Sequence, residues 1–287
     1  MKKTLLPTLL CFAKALREGK KGAILTSVFM KGFPLLELRS QPMVVFRVGV
    51  CLFLICVIPS CKKENRWDCI KRTGEQTTDT RTLPPFTKIY LKDNIDVFIT
   101  QGAVQEVKIE SGKNLTSLIK TKVIDGELRI SNDNKCNWAR SYKKGTIEVY
   151  ITLPTLIRIE HDGSGQVKSQ NTIMCDVINI QTKESGDVEL SLHANTTFLQ
   201  CLGSSDITLH GTSSNLGIYH VSEGYLYCED FPVDVMWGGS YSSGNEYLNV
   251  KLSLGVTIGW VGNIYFTGNP STIETKGKGQ GKLIHQN

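Results

Sequence analysis

The chain has 287 residues, of which 40% are hydrophobic and 21% are charged, a composition typical of a globular protein that can bury a substantial core. Its formal charge of +6 comes from the start of the chain, because residues 1–60 contain nine Lys/Arg and two Asp/Glu while the remainder contains 24 and 25. The body therefore lacks the basic surface of a nucleic-acid-binding protein, and we expect no nucleic-acid partner.

Residues 43–60 resemble the signal peptide of a bacterial lipoprotein. The uncharged apolar run 48–58 is too short to span a bilayer but suits a signal-peptide core. It leads into the letters IPSC, which resemble a lipobox and imply cleavage before Cys61 and lipidation of its sulfur. The alternative, a buried strand that ends in Cys, is disfavoured by the two lysines that follow. Residues 1–42 are then a non-native or unstructured extension.

A lipid on Cys61 would make the membrane a partner of the protein. Several acyl chains anchor a protein stably, because each buried CH2 group adds roughly 0.8 kcal/mol. Lys62 does not suggest retention at the inner membrane. We therefore expect an outer-membrane lipoprotein of a Gram-negative bacterium, on the cell surface or on the periplasmic face.

The five cysteines after Cys61 bear on metal and redox chemistry. None has CxxC spacing or lies near a zinc-type histidine pair, so we expect no metal site. Export past the inner membrane permits disulfides, and Cys69 and Cys136, both in polar turn-like segments, are a candidate disulfide. The other three fall within strand patterns and are expected to act as buried small apolar residues: Cys175, Cys201 and Cys228.

Residues 61–85 are polar and show no apolar period, which is typical of a tether, and they end in two prolines. From Phe86 onwards the apolar residues alternate, which predicts strands. The clearest segments are KIYLKDNIDVFITQG, EVKIESG, DGELRISN and GTIEVYITLP. No segment after the signal peptide has a sustained helical period, so the sequence predicts an all-β fold.

A Gly/Ser turn recurs through the second half of the chain. Counting the residue after each turn as position zero, the spacings are 21, 19, 19, 20, 18 and 17 residues, which is the signature of a repeat architecture. The seven residues at position zero are Gln166, Asp187, Asp206, Tyr225, Asn245, Asn263 and Gln280.

Four positions of each repeat, at offsets −9, −7, +1 and +3, are apolar in 22 of 28 cases. A single repeat of two short strands cannot bury such a face, but stacked repeats bury it by piling like side chains into columns, such as Ile180, Leu199 and Ile218. We therefore predict a single domain, 86–287, formed by N-terminal strands and, from about residue 156, a parallel β-helix-like solenoid of about seven coils. Gly238 and Glu246 interrupt the columns, which predicts a bulge or one-residue slip near WGGSYSSGN.

The motifs FTKIYLKDNIDVFITQG, LPTLIRIEHDGSGQV, ESGDVEL, LGSSDITLHG and GNIYFTGNP resemble the auto-transporter adhesin head GIN domain family, common in Bacteroidetes lipoproteins. The resemblance covers about residues 86–287. VSEGYLY and YSSGNEY depart from the family's Gly-Ser-Gly-Asp repeats. The family implies a single-domain β-helix-like solenoid, and it implies no established catalytic residues.

Asp187 and Asp206 carry the sharpest enzymatic signal. At position zero of successive coils, their carboxylates would lie about one strand spacing apart, near the separation of a retaining glycosidase pair. The alternatives are a calcium site at the same corner and capping of turn amides, a common role of Asp. No third acid, Arg or Lys recurs beside the pair, so we favour capping and expect no catalytic activity.

Two other groups of residues resemble ligand sites. His161 and His220 share the inward offset −5, but two coils lie between them, so we expect two satisfied buried imidazoles rather than metal ligands. The Gly-rich ending KGKGQGKLI lacks the strand-to-helix transition of a phosphate-binding loop, and no motif indicates a cofactor.

Outward-facing aromatic residues are the candidate binding residues. They form two groups: Tyr227, Tyr247 and Tyr265 at offset +2, and Phe198, Tyr219 and Trp237 at offsets −8 and −6. Such residues either stabilise the outer face or form a rigid platform for sugars or a partner protein. The expected function is a lipid-anchored binding or adhesion module; the alternatives are a carbohydrate-active, pectinase-like enzyme and a purely structural envelope protein.

Overall fold

A computed structural model describes residues 72–134 and 147–286. These residues form 17 strands and one short 3-10 helix, Thr116–Leu118, and none of their helices is long and apolar enough to cross a membrane. The strands are β1 (Gln76–Arg81), β2 (Lys88–Asp93), β3 (Asp96–Gln101), β4 (Glu106–Gly112), β5 (Ile119–Ile124), β6 (Glu127–Asn132), β7 (Glu148–Leu153), β8 (Arg158–Gly163), β9 (Val167–Ser169), β10 (Ile173–Thr182), β11 (Val188–Cys201), β12 (Ile207–His220), β13 (Leu226–Ser240), β14 (Glu246–Ile258), β15 (Ile264–Thr267), β16 (Thr272–Lys276) and β17 (Leu283–His285).

The fold described here lies within the unit Cys61–Asn287. Several predicted features therefore lie outside the described residues, and they stay predictions. They are the extension 1–42, the signal peptide 43–60, the lipidation site Cys61 and the candidate disulfide of Cys69 and Cys136.

Strands β8 to β17 wind into a parallel β-solenoid, as the repeat predicts. Each long strand from β10 to β14 pairs in parallel with strands of the coils before and after it. Strands β9, β15 and β17 complete one face, and β8 and β16 complete the other. This order confirms the predicted all-β solenoid of about seven coils.

The core consists of columns that run along the stacked coils. Ile180 pairs with Leu199, and Leu199 pairs with Ile218. All three side chains are at most 4% exposed. Parallel pairing sets equivalent residues about 4.8 Å apart, so each coil covers the apolar face of the next one. The predicted column of these three residues is confirmed.

The N-terminal strands extend the same columns. Strand β2 pairs in parallel with β6 and β8, and β3 pairs with β7 and β9, so that Ile89 lies between Leu128 and Ile159. Beyond them the pairing turns antiparallel: β5 pairs with β6, and β4 pairs with β7. The N-terminal strands are thus the first coils of the solenoid with antiparallel strands at their outer edge.

Strand β1 differs from the predicted tether 61–85. Its six residues pair antiparallel with β4, from Gln76 opposite Gly112 to Arg81 opposite Val107. The strand is polar and only half-buried, so it shows no apolar alternation that would identify it. Backbone hydrogen bonds to β4 hold it at the edge of the sheet, where polar side chains can remain in solvent.

The register of the solenoid shifts just before WGGSYSSGN, close to where the sequence predicts an irregularity. Gly238 and Glu246 themselves pair in register with the coils on either side, so these two residues are not its cause. The shift against β14 falls at residues 228–235, where Pro232 cannot donate to the ladder. A Cβ at Gly238 would lie 2.0 Å from the carbonyl oxygen of Ile218, so the backbone approaches too closely there for any residue other than glycine.

The last coil is also aligned differently. Leu283 pairs with Ile264, so position zero is Lys282 and not Gln280. The true spacing from Asn263 is therefore 19 residues, as the hydrogen bond between this pair also shows. Glycine alternates in KGKGQGK, so the turn motif fits two alignments. Strand pairing places Leu283 in the column of Ile264, whereas the predicted alignment placed it in the column of Phe266.

Candidate functional site

One outer face of the solenoid carries a groove of about 650 Å³ lined by aromatic and amide side chains. Phe198, Gly217 and Trp237 follow one another in register at offset −8 of three successive coils. Tyr219 lies two residues further along the same face. The three aromatic side chains are 39–48% exposed. The structure thus brings the candidate binding residues Phe198, Tyr219 and Trp237 together in one groove.

Gly217 lets the aromatic rings on the coils before and after it meet. A Cβ at this position would lie 2.9 Å from Cδ1 of Phe198 and 3.3 Å from Cε2 of Trp237. The two rings make an edge-to-face contact, with centroids 6.1 Å apart and planes at 84°. Only one ring turns a face toward its neighbour in this geometry, so the pair leaves flat aromatic surface open to solvent.

Polar side chains line the groove beside the rings, and the charged one among them, Arg158, is paired with a carboxylate. Arg158 pairs with Glu160 and also donates to Oε1 of Gln181 at 3.3 Å. Glu160 is shared with Lys183. Further hydrogen-bonding groups of the lining belong to neutral amides, those of Asn179, Gln181 and Gln200. The groove therefore combines apolar ring surface with uncharged donors and acceptors.

The second aromatic group forms the predicted stack. Tyr227, Tyr247 and Tyr265 lie on successive coils with centroids 5.6 and 5.1 Å apart and planes within 10° of parallel. Tyr225 adds a fourth ring 6.0 Å from Tyr227. Both faces of Tyr247 are covered by neighbouring rings. The stack can therefore stabilise the outer face, at about 0.5–1.5 kcal/mol per ring pair beyond the area it buries, but offers few ring faces to a ligand.

A second hollow, of about 400 Å³, lies at the Gly/Ser corner beside the groove. Its apolar lining consists of Leu202, Val221, Tyr241 and Trp260, and the two aromatic residues are 43% and 58% exposed. Sequence reasoning missed this hollow because the corner segments show no alternation. A search for aromatic residues inside the repeated Gly/Ser corners would have found both Tyr241 and Trp260.

The carboxylates of Asp187 and Asp206 tie neighbouring coils together. Oδ1 of Asp187 accepts the backbone N–H of Asp206 at 3.0 Å, and Oδ1 of Asp206 accepts that of Tyr225 at 2.8 Å. Side chains of Asp96, Asn245 and Asn263 repeat this bond. The predicted capping role is thus seen, although the capped amide belongs to the next coil.

This capping leaves the glycosidase and calcium hypotheses without a supporting observation. A hydrogen bond that recurs along the coils with Asp and Asn alike needs no carboxylate chemistry. In the part of the chain that the structure describes, no group of three or more His, Cys, Asp and Glu side chains is placed to hold a metal ion.

The two buried histidines differ from each other. Nδ1 of His220 lies 2.9 Å from Oε1 of Glu246, and Nε2 lies 2.8 Å from Oγ of Ser222, so this imidazole is satisfied as predicted. His161 is 1% exposed and neither ring nitrogen has a well-formed hydrogen bond, although the ring lies against the backbone of Gly186. The prediction of a satisfied imidazole is therefore wrong for His161.

Burial lowers the pKa of His161, so the protein should lose stability in mild acid. In the unfolded chain His161 binds a proton near pH 6.5, whereas in the folded protein its imidazole stays neutral to lower pH. The contribution of neutral His161 to the free energy of unfolding is therefore present above about pH 6.5 and is lost as the pH falls below that value. The slope is at most about 1.4 kcal/mol per pH unit.

Replacing this residue, His161→Leu, should flatten the dependence of unfolding free energy on pH between pH 7 and pH 5. Urea unfolding at several pH values measures it. His193→Leu, at an exposed histidine, is the matched control and should keep the parent's slope. Equal slopes in the parent and in His161→Leu would show that His161 does not cause the acid sensitivity.

The described cysteines follow the sequence prediction in part. Cys175, Cys201 and Cys228 are free. Cys201 and Cys228 are buried as predicted, and burial raises the pKa of both thiols well above the usual range. Cys175 is only half-buried. The thiols of Cys201 and Cys228 therefore act as small apolar core residues.

Comparison with known proteins agrees with this fold. The family model described as "Putative auto-transporter adhesin, head GIN domain" matches residues 85–270. No curated protein matches the sequence. Among solved structures of similar fold is a "putative adhesin" from Bacteroides fragilis, which is 24% identical with a TM-score of 0.68; the match covers 74% of this chain and 97% of that one. A "putative adhesin" from Parabacteroides merdae is 16% identical with a TM-score of 0.59, and a "Putative lipid binding protein" from Parabacteroides distasonis is 16% identical with a TM-score of 0.56. Each of these two matches covers 75% of this chain and 98% of the other chain. Because the family model covers well over half of the chain, the chain belongs to the auto-transporter adhesin head GIN domain family.

Proposed function

We propose that the protein is a non-enzymatic adhesion module of the cell envelope that binds glycans in the groove of Phe198, Tyr219 and Trp237. Membership of an adhesin family supports a binding role at the cell surface. The acids that would have indicated hydrolysis, Asp187 and Asp206, cap backbone amides.

The observation that carries this proposal is the pairing of open aromatic surface with neutral amides in one groove. The apolar C–H face of a sugar ring packs against aromatic rings, and its hydroxyls bond amide groups such as those of Asn179 and Gln200. The volume of about 650 Å³ lies within the range of small-molecule sites. Every lining side chain stands on a strand held by both neighbouring coils, so the site is built on rigid elements.

The groove is a better site than the tyrosine stack. Rings in the stack lie nearly parallel at 5.1–6.0 Å and cover one another. Phe198 and Trp237 meet edge to face and keep flat surface exposed. A protein partner would also use such anchors, but the amide-rich lining favours a ligand that is rich in hydroxyls.

A glycan array probed with the purified full-length protein tests the proposal. The parent should bind a limited set of glycans, and Trp237→Ala and Phe198→Ala should each weaken that binding about tenfold or more, because each removes ring surface from the site. Tyr225→Ala is the matched control, since this aromatic residue is similarly exposed at 37% but lies outside the groove.

Three results would contradict glycan binding at this groove. They are a parent that binds no glycan, groove variants that bind as well as the parent, and a control variant that loses binding equally. Circular dichroism of each variant shows that lost binding does not reflect lost structure.

The proposal includes an anchor at Cys61, in the outer membrane. It is supported by the lipobox-like letters IPSC and by the family's adhesin description. In the native host, Cys61→Ala should move the protein from the membrane fraction to the soluble fraction, and metabolic labelling with a palmitate analogue should be lost. Membrane association and labelling that persist in the variant would overturn the anchor.

A further inference from the structure

The groove and the corner hollow meet at a pair of tyrosines. Tyr219 lines the groove and Tyr241 lines the hollow, and their ring centroids are 6.0 Å apart. The Tyr241 ring lies over two glycines, since a Cβ at Gly259 would be 2.1 Å from its Cδ1 and one at Gly239 would be 2.7 Å from its Cε2. Any other residue at these two positions would displace this ring.

Exposed apolar residues are concentrated along these two sites. Of the fifteen large hydrophobic residues exposed in the described chain, seven line the groove or the hollow. Surface of this kind, when contiguous and rimmed by polar groups, marks a binding site. The seven are Phe198, Leu202, Tyr219, Val221, Trp237, Tyr241 and Trp260.

From these contacts we infer that the groove and the corner hollow form one continuous binding track for an uncharged linear oligosaccharide. This inference rests on the proposed glycan binding and adds the length and charge of the ligand. Phe198 and Trp260 lie three coils apart, about 14 Å along the axis at one strand spacing per coil. A track of that length exceeds a single sugar ring and fits a chain of several.

The charges along the track favour a neutral chain. Arg158 and Lys183, at the groove end, are both paired with Glu160. At the corner end, Glu223 is an exposed carboxylate that lines the hollow, next to serine hydroxyls. An acidic polysaccharide would meet repulsion from Glu223 and no unpaired cation in the groove lining. Hydroxyl-bearing neutral sugars match the amides and serines along both sites.

Isothermal titration of the full-length protein with oligosaccharides of two to six units tests the track. The probes are cello-, xylo- and manno-oligosaccharides and, as charged counterparts, oligogalacturonides. Affinity for at least one neutral series should rise with length, and the oligogalacturonides should bind more weakly. Trp260→Ala should weaken the six-unit ligand about tenfold while changing the two-unit ligand less than twofold. Trp237→Ala should weaken both lengths.

The outcomes separate this inference from the proposed function. The neutral track would be overturned if Trp260→Ala bound the six-unit ligand as tightly as the parent, or if oligogalacturonides bound more tightly than the neutral series. Weaker binding by Trp237→Ala in the same experiment would still support glycan binding in the groove. A parent that binds none of these oligosaccharides would overturn the track, and a parent that also binds no glycan on the array would overturn the proposed function. Tyr225→Ala is again the matched control, and it should bind every probe as the parent does.

Discussion

Replacing Glu246 with alanine is expected to lower the free energy of unfolding by about 2–5 kcal/mol. Glu246 and His220 are both fully buried, with Oε1 and Nδ1 only 2.9 Å apart. Removing the carboxylate leaves His220 without its partner at that nitrogen and opens a cavity between the neighbouring coils. Equilibrium urea unfolding of the parent and the variant measures the loss.

Two further variants show whether the buried pair is the cause. Glu246→Gln keeps the side-chain volume and a hydrogen-bonding oxygen, so it should cost clearly less than alanine. The double variant Glu246→Leu with His220→Leu replaces the polar pair by apolar side chains and should recover most of the stability, because well-packed apolar side chains often replace a buried polar pair without loss. A cost of under 1 kcal/mol for Glu246→Ala would contradict this account.

Truncating the core column at Leu199→Ala is expected to cost about 2–5 kcal/mol. Leu199 is 2% exposed and lies between Ile180 and Ile218, so the cavity would interrupt contacts with both adjacent coils. Coils in a solenoid are stabilised mainly by their neighbours, so the loss weakens two interfaces at once.

The same truncation at an exposed leucine is the matched control for Leu199→Ala. Leu252 is 55% exposed on β14, and Leu252→Ala should change stability by no more than about 0.5 kcal/mol. Urea midpoints of the two variants, measured with the parent, give the comparison. Similar losses at Leu199 and Leu252 would mean that the column does not stabilise the fold as described.

The columns could be predicted from the sequence because they depend on a local rule. Strand residues alternate between two faces, and a spacing near 19 residues places Ile180, Leu199 and Ile218 at equivalent positions. The same rule placed Tyr227, Tyr247 and Tyr265 on one outer column. Geometry repeated in every coil is visible without coordinates.

Features that depend on one long-range partner could not be predicted in this way. Glu246 looks like an interruption of its column, yet it stays in register because His220, 26 residues earlier, accommodates its carboxylate in the core. Strand β1 is polar and is held by pairing with β4, so its sequence resembles a tether. In both cases the deciding contact is made with one particular partner and does not recur from coil to coil.

The candidate site was predicted in part for the same reason. Phe198, Tyr219 and Trp237 occupy outward strand positions, so alternation identified them. The role of Gly217 became visible only from the rings on either side of it. Tyr241 and Trp260 lie in corners, where side chains do not alternate between two faces. They lie next to the groove because the coils stack on one another.

The most direct test of glycan binding is a crystal structure of the full-length protein with a neutral oligosaccharide selected on the array. The account predicts a sugar ring packed against Trp237 or Phe198, with its hydroxyls bonded to the amides of Asn179 or Gln200. Sugar bound at the tyrosine stack or elsewhere, with the groove empty, would contradict it.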